Sequence, residues 1–150
     1  MTVPLLATKL YQPVAPAGSV ARPRLLEQVQ AGLTAASACK LTLITAPAGS
    51  GKTTLVSQCL HDQVASVAWV SLDASDNDLT RFLLYVLRAL QTVQEDLGES
   101  AMTMLKADQV SSPEVIITAL INDLATLTTQ LVFVFTAHCP TGTSHLPSPV

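Results

Sequence analysis

The sequence predicts an α/β fold in three α/β/α layers, with a short parallel sheet of about three strands between helices. Three observations carry this. The runs KLTLITA (40–46), VAWVSL (67–72) and LVFVF (131–135) are compact, apolar and rich in β-branched or aromatic residues. Each is a short, mainly apolar run, as expected of parallel strands covered on both faces. Segments of helical period separate them, giving the order strand, helix, strand, helix, helix, strand.

The elements follow in order. Residues 1–22 are rich in Pro, Ala and Gly and read as an extended N-terminal segment. ARPRLLEQVQAGL (21–33) reads as a short helix, with Pro23 in its first turn and Leu25, Leu26, Val29 and Leu33 as its stripe. After the first strand and a glycine loop, KTTLVSQCLHD (52–62) is helical. Asn77 or Asp78 is placed to cap the next helix, whose apolar positions are Leu79, Phe82, Leu83, Val86, Leu90 and Val93. A short helix is expected over Glu99 to Lys106. In SSPEVIITALINDLATL, Ser112 is the expected cap, Pro113 suits the first turn and Glu114 complements the helix dipole. Its apolar face is Ile116, Ile117, Leu120, Ile121, Leu124 and Leu127. The expected organisation is a segment 1–22, a partial domain 23–135 and a disordered tail 136–150.

Composition narrows the function. Charged residues make up 13% of the 150-residue chain, and hydrophobic residues 49%. That charged share is about half the usual roughly 25%, so apolar surface awaiting a partner is expected. Net charge is −3 and no Lys/Arg cluster occurs, which argues against direct nucleic-acid binding, since phosphate neutralisation needs clustered cations. Cys39, Cys59 and Cys139 have no metal-type spacing and read as free thiols of a reducing cytoplasm. The longest apolar runs, such as FLLYVL, are six residues, whereas a membrane span needs about 20. A cytoplasmic chain with no signal peptide is expected.

The chemistry sits at the first strand-to-helix junction. Residues 46–53 read APAGSGKT, against the phosphate-loop pattern G-x-x-x-x-G-K-[ST]. Only the first glycine is replaced, by Ala46. Small residues let backbone N–H groups approach phosphate oxygens, and Gly51 opens a helix whose positive end faces them. Lys52 would neutralise the β and γ phosphates, and Thr53 would offer its hydroxyl to Mg²⁺. Ala48, Gly49, Ser50, Gly51, Lys52, Thr53 and Thr54 form the candidate binding set for ATP or ADP, with Thr53 the metal contact.

Hydrolysis would also need a carboxylate at the end of a neighbouring strand. After LVFVF come Thr136, Ala137 and His138, and no Asp or Glu follows Asp123. A neutral imidazole is a poor ligand for Mg²⁺, which wants oxygen, so His138 reads as a tail residue and no catalytic residue is assigned. The acidic run SLDASDND follows the second strand, where ligands of open α/β sheets gather. Asp73, Asp76 or Asp78 could contact a ligand there; the competing expectation is one helix cap and otherwise solvated carboxylates. Arg81 and Arg88 are expected on the surface.

Five blocks agree with one family in order and spacing: LLATKLYQP, ARPRLLEQVQAGL, LTLITAPAGSGKTTLVSQCL, VAWVSLDASDNDLTRFLLYVLRALQ and ALINDLATL. Together they resemble the N-terminal nucleotide-binding domain of the large ATP-dependent LuxR-type (MalT-like) transcriptional regulators. The resemblance implies a signal-transducing P-loop ATPase of the STAND type, followed in the family by sensor and DNA-binding domains. It also implies ATP-driven self-association reset by hydrolysis. Lys52 and Thr53 correspond to the family's phosphate-loop pair, and the RPRL segment with Arg22 and Pro23 would lie near the nucleotide base. Where the family continues into paired aspartates and an aromatic–histidine pair, this sequence reads FTAHCP. The abrupt change after Phe135 predicts a truncated or frameshifted gene product, which a family-like continuation in another frame would verify. The expectation is an ATP/ADP-binding fragment that hydrolyses poorly for want of the Walker B acids. The alternatives are a small stand-alone P-loop kinase or NTPase and an inert remnant.

Overall fold

The computed structural model describes residues 4–34, 40–61, 66–107 and 112–137. Five helices and two strands follow one another: α1 Pro23–Leu33, α2 Lys52–His61, β1 Ser66–Leu72, α3 Leu79–Gln91, α4 Glu99–Lys106, α5 Pro113–Ala125 and β2 Leu131–Ala137. Single 3-10 turns occupy Ala7–Leu10 and Ala74–Asp76. The α/β class is as the sequence predicts. β1 and β2 pair in parallel, from Ser66 beside Leu131 to Leu72 beside Ala137. A parallel pair needs a long crossover, and α3, α4 and α5 supply it.

The crossover builds the core. Leu83, Tyr85, Val86, Leu87, Ala89 and Leu90 of α3 are buried. They pack with Ala68 and Val70 of β1, Ala101 and Met102 of α4, and Ile116 and Leu120 of α5. Ala68 and Val70 share one face of β1 because side chains alternate along a strand, so buried Trp69 lies on the other. Each fully buried Leu or Val contributes roughly 1.5–3 kcal/mol. Asp78 caps α3, its carboxylate accepting from the Arg81 N–H at 2.9 Å, as one of the two expected candidates. Gly98 precedes α4 with φ +74°, and a Cβ there would meet Leu87 Cδ2 at 2.7 Å. Only glycine suits that position.

The sheet differs from expectation. Among the described residues it has two strands, and residues 40–47 carry no ladder with either. Leu41 and Leu43 are each 83% exposed. β-branched residues give a segment strand propensity, but the state itself is stabilised by packing against a neighbouring strand or face, and among the described residues neither buries these leucines. β2 is half-buried rather than buried, and Phe135 is 49% exposed. Its far edge has no strand beside it among the described residues. Phe133 and Phe135 stack at 4.4 Å on the face that also meets Phe82. The strand runs to Ala137, two residues past the expected boundary, and Thr136 Oγ1 donates to Ser71 Oγ at 3.1 Å.

Helix α5 also departs in detail. Ser112 stands at the N-cap of α5 but makes no capping bond to the backbone. Its hydroxyl bonds the Glu114 carboxyl instead and lowers that group's pKa. Ile116 and Leu120 are buried as expected, whereas Ile117 and Ile121 are exposed at 40% and 58%. α5 thus has more apolar face than the described residues cover. The expected disordered tail lies, from His138 on, outside the described residues.

Candidate functional site

The loop before α2 is built by two glycines. Gly49 has φ +76° and Gly51 φ +84°, the left-handed region that other residues rarely adopt. A Cβ on Gly49 would touch nothing within 4 Å, so this glycine is needed for conformation and not for room. Among the described residues no other residue type has positive φ. Ala46 therefore stands in place of the pattern's glycine without strain. The Ser50 N–H donates to the Pro47 carbonyl at 3.3 Å, and Leu55 N–H to the Gly51 carbonyl at 2.9 Å. The first bond closes the turn and the second starts α2, whose free N–H groups open toward the loop.

Two cations converge there. Lys52 Nζ donates to the Ala46 carbonyl at 2.5 Å and the Pro47 carbonyl at 2.9 Å. Arg22 Nη1 donates to the Ser50 carbonyl at 2.9 Å, and Arg22 Nη2 lies 3.9 Å from where a Gly51 Cβ would be. Both are charge-assisted bonds to neutral carbonyls, which an anion's oxygens could replace with gain. Arg22, Leu25, Gln28 and Val29 line one side of a cavity of about 400 Å³, and Thr42–Ala46 with Ser50–Lys52 and Leu55 line the other.

The expected residues divide accordingly. Ser50, Gly51, Lys52 and Arg22 come together around this cavity. Ala48 and Gly49 form the exposed turn beside it, and Thr53 and Thr54 are in the first turn of α2. Pro23 starts α1 and does not line the cavity. An anion of phosphate type fits these residues, because two cations, the left-handed Gly51 and the start of a ten-residue helix face one space. For Mg²⁺ the described residues offer the Thr53 hydroxyl. No group of three or more His, Cys, Asp or Glu that could hold a metal occurs among them. His138 lies outside the described residues.

The acidic run does something the sequence does not announce. Lys9, from the N-terminal segment, is buried, with Nζ 2.8 Å from Asp73 Oδ2 and 2.6 Å from Asp76 Oδ2. Burial works against its charge, but the two carboxylates outweigh this and raise the Lys9 pKa above the ordinary value. The ammonium also sits 5.2 Å from the Tyr85 ring centroid, within cation–π range. Asp76 accepts from the Asp73 N–H at 2.9 Å, and Asp73 from the Ser75 N–H at 2.8 Å. Arg81 Nε lies 3.2 Å from Asp76 Oδ1 without a directed hydrogen bond.

Asp76 is thus buried rather than solvated, and Arg81 is half-buried, contrary to expectation, whereas Asp73 stays exposed while paired with Lys9. Arg88 is exposed as expected, bonded to Gln91. A second cavity of about 490 Å³, lined by Leu72, Phe82 and residues of this run, opens here. Its buried carboxylate is already neutralised by Lys9, which makes it a poorer ligand site than the glycine loop.

One pH effect follows. Lys9 first, and then the Ser75 hydroxyl and N–H, hold the Asp73 carboxyl well below the usual carboxylate range. A depressed folded pKa stabilises fully above the unfolded value of about 3.9 and is lost as pH falls below it. The urea midpoint should therefore stay level from neutrality to about pH 5 and drop as carboxylates protonate below about pH 4. Asp73→Asn should flatten part of that drop; an unchanged acid limb would place the carboxyl in bulk water.

Cys59 is buried and free, and burial raises its thiol pKa. Among the described residues no helix is long and apolar enough to cross a membrane.

The fold and site define an α/β chain with a cation-lined glycine loop at a helix start. No protein-family model matches it. It is similar to the HTH-type transcriptional regulator MalT of Yersinia pestis (strain Pestoides F), 45% identical over 87 residues, which is 58% of this chain and 9% of that protein. The MalT regulator of Vibrio parahaemolyticus is 37% identical over 107 residues, covering 71% of this chain and 11% of that protein. The matched segment thus spans only about a tenth of the curated relatives.

Proposed function

We propose that this chain is a nucleotide-binding piece of a MalT-like transcriptional regulator and binds ATP or ADP at residues 46–54. The observation that carries the reading is the convergence of Lys52 and Arg22 on one left-handed glycine loop. Phosphate oxygens would take over the Lys52 and Arg22 donors and accept from the loop N–H groups. Thr53 would hold Mg²⁺ alongside the phosphates, with water in the remaining positions. Arg22, Leu25 and Val29 form the wall on which a base would rest.

Turnover is a different matter. Of the described residues, the carboxylates nearest a strand end are Asp73 and Asp76, and Lys9 occupies both. No carboxylate side chain follows Asp123. Among the described residues no carboxylate lines the glycine-loop cavity, so the reading is a cytoplasmic nucleotide binder that hydrolyses poorly. The first test is titration calorimetry with MgATP and MgADP, for which saturable one-to-one binding is expected. A steady-state phosphate-release assay should show no rate above background. Lys52-dependent turnover would mean that Asp73 or Asp76 leaves Lys9 to serve the nucleotide.

A further inference from the structure

Residues 4–22 form a strap that joins the carboxyl end of β1 to the glycine loop. At its start, the Leu6 N–H donates to the Tyr85 hydroxyl at 3.1 Å, and Lys9 is fixed by Asp73 and Asp76. Midway, Gln12 Nε2 donates to the Ser57 carbonyl of α2 at 3.4 Å. Past the turn at Gly18, where φ is +82°, Gln58 Nε2 donates to Ser19 Oγ at 2.8 Å. The strap ends at Arg22, on the Ser50 carbonyl beside Gly51.

Apart from the single turn Ala7–Leu10, the strap has no regular structure. Its order rests on these ties, and on Leu5 and Leu10 packed against the core, set against the conformational entropy of every residue in it. Such segments lie at the low-stability end of a protein. A tie gained at one end therefore raises the occupancy of those at the other.

Resting on the nucleotide reading above, we infer that the strap couples the phosphate loop to the Lys9 ion cluster. Lys9 keeps the strap down, so that Arg22 is already at the loop when an anion arrives. The anion in turn fixes Arg22 and tightens the strap as far as Lys9. Coupling of this kind is reciprocal: whatever factor the latch adds to nucleotide affinity, the nucleotide adds to the latch.

Hydrogen exchange followed by mass spectrometry on the full chain tests this directly. With saturating MgADP, amides of residues 5–12 should exchange about 5-fold more slowly or slower still. The same nucleotide should leave that segment unchanged in Lys52→Ala. In calorimetry, Lys9→Met should weaken MgADP binding by about 5-fold or more. Gln58→Ala, which cuts only the Ser19 tie, gives a second and milder variant should Lys9→Met fail to fold.

MgADP binding that depends on Lys52 but leaves residues 5–12 unprotected would overturn the coupling and spare the nucleotide reading. Undiminished affinity in a folded Lys9→Met, or in Gln58→Ala, would do the same. Absence of any MgADP binding would overturn both.

Discussion

Lys52→Ala should remove nearly all nucleotide affinity from this chain while leaving it folded. Lys52 is the first residue of α2, and both of its hydrogen bonds go to carbonyls of the exposed loop. Alanine is a good helix former there, so the fold loses little. The bound state loses much more, because phosphate charge brought against the loop would lack its closest cation. Truncating one partner of such a charge pair costs about 2–5 kcal/mol, or roughly 30-fold to a few thousand-fold in Kd. Arg22 remains beside Ser50, so the lower part of that range describes a site in which the two cations share the anion. Calorimetry on both proteins, with circular dichroism as the folding control, measures it. Equal affinities would refute the phosphate-loop assignment.

How far the sequence carried this site depends on the kind of interaction. Local chemistry was legible. Gly49 and Gly51 take the left-handed backbone that the loop pattern demands, and Lys52 begins α2 as the spacing predicts. Helices α3, α4 and α5 lie where period and caps place them, since apolar spacing and capping act over a few residues.

What the sequence did not show were states that depend on distant partners. Residues 40–46 have the composition of a strand, but composition cannot report whether a neighbouring strand pairs with them. Leu41 and Leu43 remain exposed for that reason. Ile117 and Ile121 have helical spacing toward a core that does not extend over them. The Lys9 cluster was missed because Lys9 lies 67 positions from Asp76 in the sequence. One signal was present in the sequence. Lys9 is the sole charge in LLATKLYQP, and SLDASDND holds three aspartates and no cation. A lone cation in an apolar segment needs a counter-charge when it is buried.

That cluster yields the second large effect. Asp76→Ala should destabilise the chain by about 3–5 kcal/mol, as breaking a buried pair does. The Asp76 side chain is 1% exposed, and that of Lys9 10%. Removing the carboxylate strips Lys9 of its closer partner, takes the acceptor from the Asp73 N–H and leaves Arg81 Nε buried without a counter-charge. Asp73 still faces Lys9 at 2.8 Å, but its side chain is 46% exposed and a weaker substitute. Against a typical total of about 5–15 kcal/mol, the loss would move the urea midpoint far toward zero.

Swapping both partners distinguishes an unpaired charge from lost packing. In Lys9→Met with Asp76→Leu, no charge is stranded between that pair, and such replacements are often neutral or stabilising. The double variant should therefore recover most of the stability that Asp76→Ala loses, although the Asp73 N–H still lacks its acceptor. A double variant no more stable than Asp76→Ala would locate the loss in the capping bond at Asp73 and the stranded Arg81 Nε rather than in the Lys9 charge. An Asp76→Ala cost below about 1 kcal/mol, the range of exposed pairs, would show that water reaches the cluster and that the strap is not latched there.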